Sequence, residues 1–560
     1  MSLDCPDLRR RCFASLWNSP RQATISSLLC VFFLASLAAN AQRHDPFPLA
    51  GMLVYNVPQE SPRLNLSGLS DTVTLTWPAV ASNCVVQSSS DLASGIWTRE
   101  TNAAIDVIDG QTIATVPLAS DQRFFRLLAP KVYSVPVFQF AVFYNGLMEF
   151  TWCATFVVNG RVHANGNIFV GSSSDLTFNS IVTTAGAIYK TNWDGHTLSQ
   201  MVGAVTYNGS PGWMTNVEPL ALPVGTNVFS PAAVREIINP PPPGEDPNSF
   251  TGQQRYYNLA GVVLLVSNET VTAYLKTSPA DVPIALTVTN YATNSFVLVT
   301  NLPFLSVTNS FIDQRESSKW VRPTQIDVGV YRNWIATNHY VLAKFPPGSG
   351  LYPNVLYVAD FRTNGANTNL YSVRLINGSV IPTNGPNAAP SGWTVATPNP
   401  LYIWGHYNIG PAGSTAPGNT DTSRTFPASL VSDALTILSP NWSDSIFTSG
   451  GTLGNRNAAN TTVNAAILTG IVYSTDATSN HYSGGVMNVP RLLEDWSGDT
   501  LTLNTSIVNL FDSVRATNWW QNPGVYYYAP TRRFSFDNNF TNATKLPPGT
   551  PAITLINLPQ

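Results

Sequence analysis

Hydrophobic residues along this chain alternate with polar ones in short runs. Residues 73–77 read Val-Thr-Leu-Thr-Trp, and residues 284–288 read Ile-Ala-Leu-Thr-Val. Alternation with a period of two predicts half-buried β-strands. No stretch keeps a helical apolar period beyond about three turns, so helices are expected only as short additions. We place these additions at 231–238, 324–337 and 490–496.

A longer repeat is superimposed on this alternation. Residues 161–169 and 181–189 each place an aliphatic residue six positions before an aliphatic–aromatic pair, with a glycine turn between them. Val395, Leu401 and Tyr402 repeat the spacing. A period near 20 residues, built of short strands and tight turns, is typical of one coil of a stacked β-solenoid.

These patterns together predict an all-β fold in two parts. Residues 63–130 carry roughly five to seven short strand patterns, which predicts a small β-sandwich. Residues 131–560 predict a large, irregular β-solenoid or β-helix-like domain with short helices and inserted hairpins, the clearest at 262–274. The sequence leaves open whether 131–560 is one domain or two, and it leaves the oligomeric state open.

The N-terminus has the layout of a secretory signal peptide over residues 1–41. Arg9, Arg10 and Arg11 form a positive region, residues 25–37 are apolar, and small residues precede Gln42. The apolar core is shorter than the ~20 residues of a comfortable membrane span, so we expect contact with the membrane only during export; an uncleaved anchor is the alternative. The prolines within residues 42–62 predict a linker. The protein is therefore expected outside the cell or on its surface, with the periplasm as a further possibility.

The composition narrows the choice of partners. Charged residues make up only 11% of the chain, against about 25% in an average soluble protein. The net charge is −3 and no basic stripe is present, which argues against a nucleic-acid partner. Cys84 and Cys153 are the only cysteines after the signal peptide. We expect them to be buried in separate units, with a disulfide between them as the alternative.

Motifs for metal, cofactor or nucleophile chemistry are missing from the sequence. There is no HExxH, CxxC or GxSxG pattern. His163 has no second histidine within five positions, so we interpret it as a hydrogen-bonded turn residue and not as a metal ligand. We expect no cofactor, no metal and no catalytic residue.

Acid–base chemistry on a polysaccharide is the enzymatic alternative, because it needs two or three carboxylates within reach of one bond. The candidate groups are Asp313, Glu316 and Asp327, then Asp360 with Arg374, and finally Glu494 with Asp495. The turn from Asp313 to Lys319 is interpreted as solvated. Glu494 and Asp495 are adjacent and would point apart on a strand. A groove lined by three carboxylates would favour an enzyme, whereas a ladder of Asn and Thr would favour a scaffold.

Several aromatic residues are candidate contacts for a glycan or a protein partner. Exposed rings can stack on sugars, whereas the alternative is that these rings fill the core or cap its ends. The candidates are Trp404, Trp519, Trp520, Tyr526, Tyr527 and Tyr528.

Two resemblances to known families add to this interpretation. The blocks VTLTWPA, CVVQSSSDLASGIWT and QRFFRLLAP within 63–130 resemble fibronectin type III-like modules of secreted bacterial proteins, which implies a spacer or adhesive module. The ordered blocks FAVFYNGLMEF, FVVNGRVHANGNIFVG, WTVATPNPLYIWGHYN and YSGGVMNVPRLLEDWSG resemble uncharacterised bacterial exported proteins similar to PilX-type, type IV pilus-associated assembly proteins.

The second resemblance implies a surface role without catalysis. A pilin would carry a prepilin leader, and this N-terminus has an ordinary signal instead, so we expect an accessory component and not part of a pilus shaft. The hypothesis is a non-enzymatic structural or adhesion protein whose partners are surface-appendage proteins or extracellular glycans. The alternative is a protein that binds or degrades carbohydrates on a β-helix scaffold.

Overall fold

The computed structural model of the protein confirms the all-β class. Strands account for 40% of it and helices for 12%. It describes residues 47–557 except for 58–61, 70, 79–83, 102, 118–122, 129–130, 152, 173, 194–202, 223–229, 279–280, 282–283, 290, 293–294, 297–301, 308–310, 364–367, 384–391, 411–415, 449–451, 476–480 and 522. The predicted signal peptide lies outside the described residues. None of the helices in the described part is long and apolar enough to cross a membrane.

The first strands are all antiparallel. They are β1 Tyr55–Val57, β2 Asn65–Leu69, β3 Thr72–Pro78, β4 Val85–Ser89, β5 Thr98–Arg99, β6 Ala104–Ile108, β7 Gln111–Pro117, β8 Phe124–Leu128 and β9 Lys131–Pro136. Two sheets, ordered β2-β3-β7-β6 and β5-β4-β8, share one apolar cluster that contains Trp77 and Phe125. The alternation at 73–77 is confirmed, because Val73, Leu75 and Trp77 are buried and their neighbours are not.

Part of the predicted linker contacts the rest of the protein. Phe47 is buried in the core cluster of the following strands, and β1 pairs with β9. The two cysteines lie apart, as predicted. Neither forms a disulfide and both are buried, Cys84 among the antiparallel strands and Cys153 among the parallel strands that follow.

From β10 onwards the chain winds through parallel strands. The first coils comprise β10 Phe140–Tyr144, β11 Met148–Glu149, β12 Phe156–Val158, β13 Arg161–Ala164, β14 Ile168–Phe169, β15 Leu176–Phe178, β16 Val182–Thr184, β17 Ile188–Tyr189, β18 Val205–Tyr207 and β19 Trp213–Met214. The 20-residue repeat is confirmed, because Val162 pairs with Val182 and Ile168 with Ile188 in parallel register.

A second group of coils follows, with hairpins and helices inserted. Its strands are β20 Val262–Val266, β21 Thr270–Leu275, β22 Ile284–Thr289, β23 Tyr291–Ala292, β24 Ser295–Phe296, β25 Leu305–Val307, β26 Phe311–Asp313, β27 Lys319–Asp327, β28 Val355–Asp360, β29 Asn369–Ile376, β30 Trp393–Ala396, β31 Leu401–Trp404, β32 Ala428–Ser432, β33 Leu435–Leu438, β34 Thr461–Asn464, β35 Ala466–Thr469, β36 Pro490–Arg491, β37 Thr500–Thr505, β38 Ile507–Asn509, β39 Thr531–Phe536 and β40 Ala552–Asn557. The predicted hairpin at 262–274 is confirmed, since β20 and β21 pair antiparallel.

Helices in the described residues are short. They are α1 Pro231–Val234, α2 Phe250–Gln254, α3 Tyr256–Leu259, α4 Val328–Thr337, α5 His339–Lys344 and α6 Asp444–Thr448, with 3₁₀ turns at Val137–Gln139, Arg235–Ile237, Leu453–Asn455, Val486–Asn488, Asn538–Thr541 and Ala543–Lys545.

Two of the three predicted helices are found, the second shorter than expected. The one at 231–238 is α1 with its 3₁₀ turn. The second begins only at Val328, because Asp327 ends β27 and its side chain caps α4 through the Val330 N–H. The helix predicted at 490–496 is wrong, since residues 490–491 pair with β33 as strand β36.

The strand order of the largest sheet, the long sheet, is not the order of the chain. It runs β19-β16-β13-β10-β38-β35-β32-β30-β28-β20-β21-β22. The first strand that the early coils contribute to this sheet, β10, therefore pairs with β38, the last strand that the late coils contribute. Ile238 lies in the chain between β19 and β20, and its carbonyl accepts from the Tyr357 hydroxyl of β28 at 2.9 Å.

A second sheet, ordered β25-β27-β29-β31-β33-β36 with β26 on β27, packs against the late strands of the long sheet. Val395 and Leu430 of the long sheet share one buried cluster with Leu401 and Ile437 of the second sheet. We call the facing surfaces of these two sheets their inner faces, and the opposite surfaces their outer faces. Shorter three-stranded parallel sheets complete the coils, namely β11-β14-β17, β12-β15-β18 and β34-β37-β39.

Candidate functional site

A row of polar side chains crosses the outer face of the second sheet. Neighbouring strands place them in register, in the order Gln325, Arg374, Tyr402, Thr436 and Arg491. Side chains alternate along a strand, so the apolar residues on either side of them point inward. Residues 311–318 and 442–448 cover this row, and we call the whole arrangement the covered row.

Arg374 and Asp444 form the first ion pair of the covered row. The two guanidinium Nη atoms lie 2.7 and 2.9 Å from the carboxylate oxygens of Asp444, which is the bidentate geometry of strong Arg–carboxylate pairs. The Arg374 Nε donates to Gln325 at 2.9 Å. The guanidinium also lies 5.0 Å from the ring centre of Trp404, a cation–π contact. These three contacts fix the position of the Arg374 guanidinium.

Glu316 and Arg491 form the second pair. Their charged atoms lie 2.5 Å apart, and both side chains are buried. Glu316 also accepts from the backbone N–H of Thr517 at 3.1 Å and of Asn518. A buried charge is tolerated only when such partners replace the water it has lost.

Asp313 is buried beside this pair. Its carboxylate accepts from the Tyr402 hydroxyl at 2.7 Å and from the Arg315 N–H at 2.9 Å. Burial, together with the nearby charge of Glu316, raises the pKa of Asp313. The prediction that the turn from Asp313 to Lys319 is solvated is therefore wrong for Asp313, Arg315 and Glu316. The charged side chains of this turn pack on the polar outer face of the second sheet. The local sequence does not reveal that this face lies beneath the turn.

Glu494 and Asp495 have different surroundings. Glu494 is buried and accepts from the N–H and the hydroxyl of Ser439, each at 2.7 Å. Burial raises the pKa of Glu494 to about 7. Asp495 is only half-buried and accepts from the Ser497 N–H. The two carboxylates do not converge on one point.

The remaining carboxylate candidates hold local structure. The sequence analysis grouped Asp360 with Arg374. In the structure, the Asp360 carboxylate instead pairs with the Arg362 guanidinium, and their charged atoms lie 2.7 Å apart. Asp360 follows a strand end, where Arg362 is close enough to fold back over it. Asp327 caps α4 and accepts from the Asn377 amide at 2.7 Å.

His163 is hydrogen-bonded, as predicted, but it lies on β13 and not in a turn. Its ring nitrogens lie 2.9 Å from the Thr183 hydroxyl and 2.9 Å from the Asn165 amide oxygen. The Phe47 ring packs edge-on against it at 5.3 Å. Burial lowers the pKa of His163 to about 4, so the ring is neutral at physiological pH. Across the described residues, no group of three His, Cys, Asp or Glu side chains could hold a metal ion.

The aromatic candidates divide into buried and accessible rings. Tyr526 and Tyr527 are buried, whereas Tyr528 is 42% exposed. Trp519 stacks on His481 with ring centres 4.5 Å apart. The Trp520 indole donates to the Tyr527 hydroxyl at 3.0 Å. Trp404 is half-buried against the Arg374 guanidinium.

Sequence reasoning missed a second polar junction, at Asp433. Its carboxylate pairs with Arg235 at 2.7 Å and accepts from three successive N–H groups, those of Val514, Arg515 and Ala516. The ion pair between Arg235 and Asp433 joins the 3₁₀ turn after α1 to the coils. Asp433 lies between two apolar runs of the sequence. Nothing in these neighbouring residues predicts that backbone N–H groups about 80 residues away will bind its carboxylate.

Chemically, these arrangements act as cross-links. Each buried carboxylate already accepts from an arginine, a hydroxyl or backbone N–H groups, which leaves little freedom to take a proton from a substrate. No known protein family, curated protein or solved structure matches this chain. The resemblances to fibronectin type III-like modules and to PilX-type proteins therefore stay predictions.

Proposed function

We propose that this chain is an exported structural or adhesion protein of the cell surface, an accessory component of a pilus or other appendage that carries out no catalysis. In this proposal residues 63–130 form a β-sandwich spacer. Residues 131–560 form a stiff β-solenoid-like domain, stabilised by backbone pairing between its parallel coils.

The covered row carries the proposal. Four carboxylates lie on or beside the outer face of the second sheet, those of Asp313, Glu316, Asp444 and Glu494, which is more than the two or three that acid–base chemistry would need. Three of them are buried, and the fourth, Asp444, is held by Arg374 in two hydrogen bonds. Catalytic carboxylates need access to a substrate and a proton to exchange. Fixed, covered carboxylates favour a scaffold.

An asparagine ladder supports the same interpretation. Asn159, Asn179 and Asn208 are exposed on successive coils. The Asn179 amide donates to the amide oxygen of Asn159, and the Asn208 amide donates to that of Asn179, each at 2.8 Å. Such ladders stabilise stacked strands without adding charge. The neutral polar surface fits an object that is exposed to varied conditions outside the cell.

Mechanical shearing tests the proposal. The protein is detected in sheared surface filaments, washed cells and cell-free medium, with a cytoplasmic protein as the control for lysis. Enrichment in the filament or cell fraction is the expected result. Recovery only as a soluble species in the medium, or only in the cytoplasm, would overturn the surface role.

A glycan contact is a second candidate function, favoured by the loop that carries Trp519 and Tyr528. The Trp520–Tyr527 hydrogen bond joins the two arms of this loop, and the Tyr528 ring is accessible. Binding to cell-wall polysaccharides should fall at least several-fold in Tyr528→Ala. It should not change in Tyr55→Ala, a variant of a similarly exposed tyrosine (48%) at a distant site. Equal binding by both variants would exclude this loop.

A further inference from the structure

The inner face of the long sheet carries one unbroken row of apolar side chains. Strand register aligns them in the order Leu275, Val262, Leu356, Val395, Leu430, Ile467, Ile507, Val142, Val162, Val182 and Trp213. Every member from Leu275 to Val182 is buried, whereas Trp213 is 52% exposed. The apolar row therefore reaches the surface at β19.

The other strands of the last coil show the same change. Ile168 and Leu176 are fully buried one coil earlier, but their partners Ile188 and Val205 are only half-buried, and Tyr189 is 44% exposed. Among the described residues, no strand pairs with the far edge of β17, β18 or β19. We call these three strands the open end.

The opposite end of the long sheet, which finishes at β22, is built differently. There the chain turns back through β20, β21 and β22, which pair antiparallel. Phe304, Tyr331 and Trp334 pack ring to ring at this end, 4.9 to 6.0 Å apart, and belong to the cluster beneath it. The two ends consequently differ in both strand direction and cover.

We infer that the open end binds the open end of a second copy of this chain, giving a twofold-symmetric dimer. A molecule that binds at the open end must pair with the edges of β17, β18 and β19, which belong to three different sheets. It must also place apolar side chains against Trp213. A coil of this chain has that shape. The chain already makes one such coil-on-coil contact within itself, where β10 pairs with β38.

The antiparallel end determines the symmetry. A head-to-tail arrangement would bring the open end against an antiparallel hairpin, whose cluster is already covered. Two open ends related by a twofold axis instead offer each other identical strand edges in antiparallel orientation, the isologous contact of most soluble dimers. Uncapped strand edges with an apolar centre are otherwise prone to uncontrolled pairing.

Sedimentation velocity over a wide concentration range tests this inference on the purified protein. The wild type should sediment as a dimer of twice the chain mass. The variant Tyr189→Lys with Trp213→Lys should be monomeric, because four added charges would face each other across the contact. The matched control is Val514→Lys with Val525→Lys, two positions that are each 57% exposed on a distant loop; this control should remain dimeric.

Hydrogen exchange of the wild type gives a readout that does not depend on how the variants fold. On concentration, the amides of residues 188–189, 205–207 and 213–214 should become protected. A wild type that is monomeric throughout, a lysine variant of the open end that still dimerises, or protection confined to another surface would each overturn the inference. The inference does not rest on the surface role, because that role is tested by cell fractionation and this one by association in solution.

Discussion

Val142 and Ile507 lie side by side in parallel register, although one begins the first coil and the other belongs to the last. Both are buried, at 3% and 2% exposure. The pair forms the seam between the early coils and the late coils. Because the seam continues the long sheet, the two groups of coils share one apolar row and stabilise each other.

Shortening Ile507 should weaken both groups at once. Ile507→Ala should reduce the free energy of opening of β10 and β35, the two strands that pair with β38 on either side, by about 3 kcal/mol, since it removes buried methyl groups and leaves a cavity. Native-state hydrogen exchange measures this loss on each strand. Ile105→Ala, at an exposed site, should change stability by less than about 0.5 kcal/mol. Loss of protection in β35 alone would mean that the seam does not couple the two groups.

Glu316 should be among the most sensitive positions in the chain. Glu316→Gln leaves the Arg491 charge buried without its partner, so we expect a loss of about 3–5 kcal/mol in the free energy of unfolding. The double variant Glu316→Gln with Arg491→Met should recover much of this loss, because it removes the uncompensated charge. Denaturant unfolding of the single and double variants gives the coupling energy. Additive effects would contradict the paired geometry.

His163 should make the protein less stable in acid. Its folded pKa of about 4 lies below the ordinary value near 6.5, so the unfolded state binds the proton first as the pH falls. The stability contributed by neutral His163 is complete above pH 6.5 and is lost towards pH 4, by about 3 kcal/mol. His163→Gln should remove this dependence, measured as the difference in unfolding free energy from wild type at each pH. His339→Gln, on exposed α5, should parallel the wild type.

Glu494 should act in the opposite direction. Its folded pKa of about 7 lies above the ordinary value near 4.3, so the folded state holds the proton longer. Stability is then lost as the pH rises from about 4.3 to 7, by about 3 kcal/mol. Glu494→Gln should therefore be more stable than wild type at pH 8, relative to pH 4. Since the His163 and Glu494 effects overlap with opposite signs, they largely cancel each other in the wild type, and the two variants are needed to separate them.

The strands and the 20-residue coil could be predicted because both are local properties. Alternation reports which side of a strand is buried, and the distance from Val162 to Val182 is simply the length of strand and turn in one coil. The same local logic failed for residues 490–496, where we predicted a short helix. Pairing with β33, which lies about 50 positions earlier in the chain, determines that backbone instead.

The charged turn from Asp313 to Glu316 shows the other limit. Charges in a turn normally face water, and only the sheet beneath this turn, with Arg491 and Tyr402 on its outer face, makes burial favourable. The pairing of Val142 with Ile507 has the same origin. Alternation and coil length can be predicted from neighbouring residues. The order in which the coils stack depends instead on how much apolar surface the whole chain can bury. This burial is established only when strands that are distant in the sequence pair with each other.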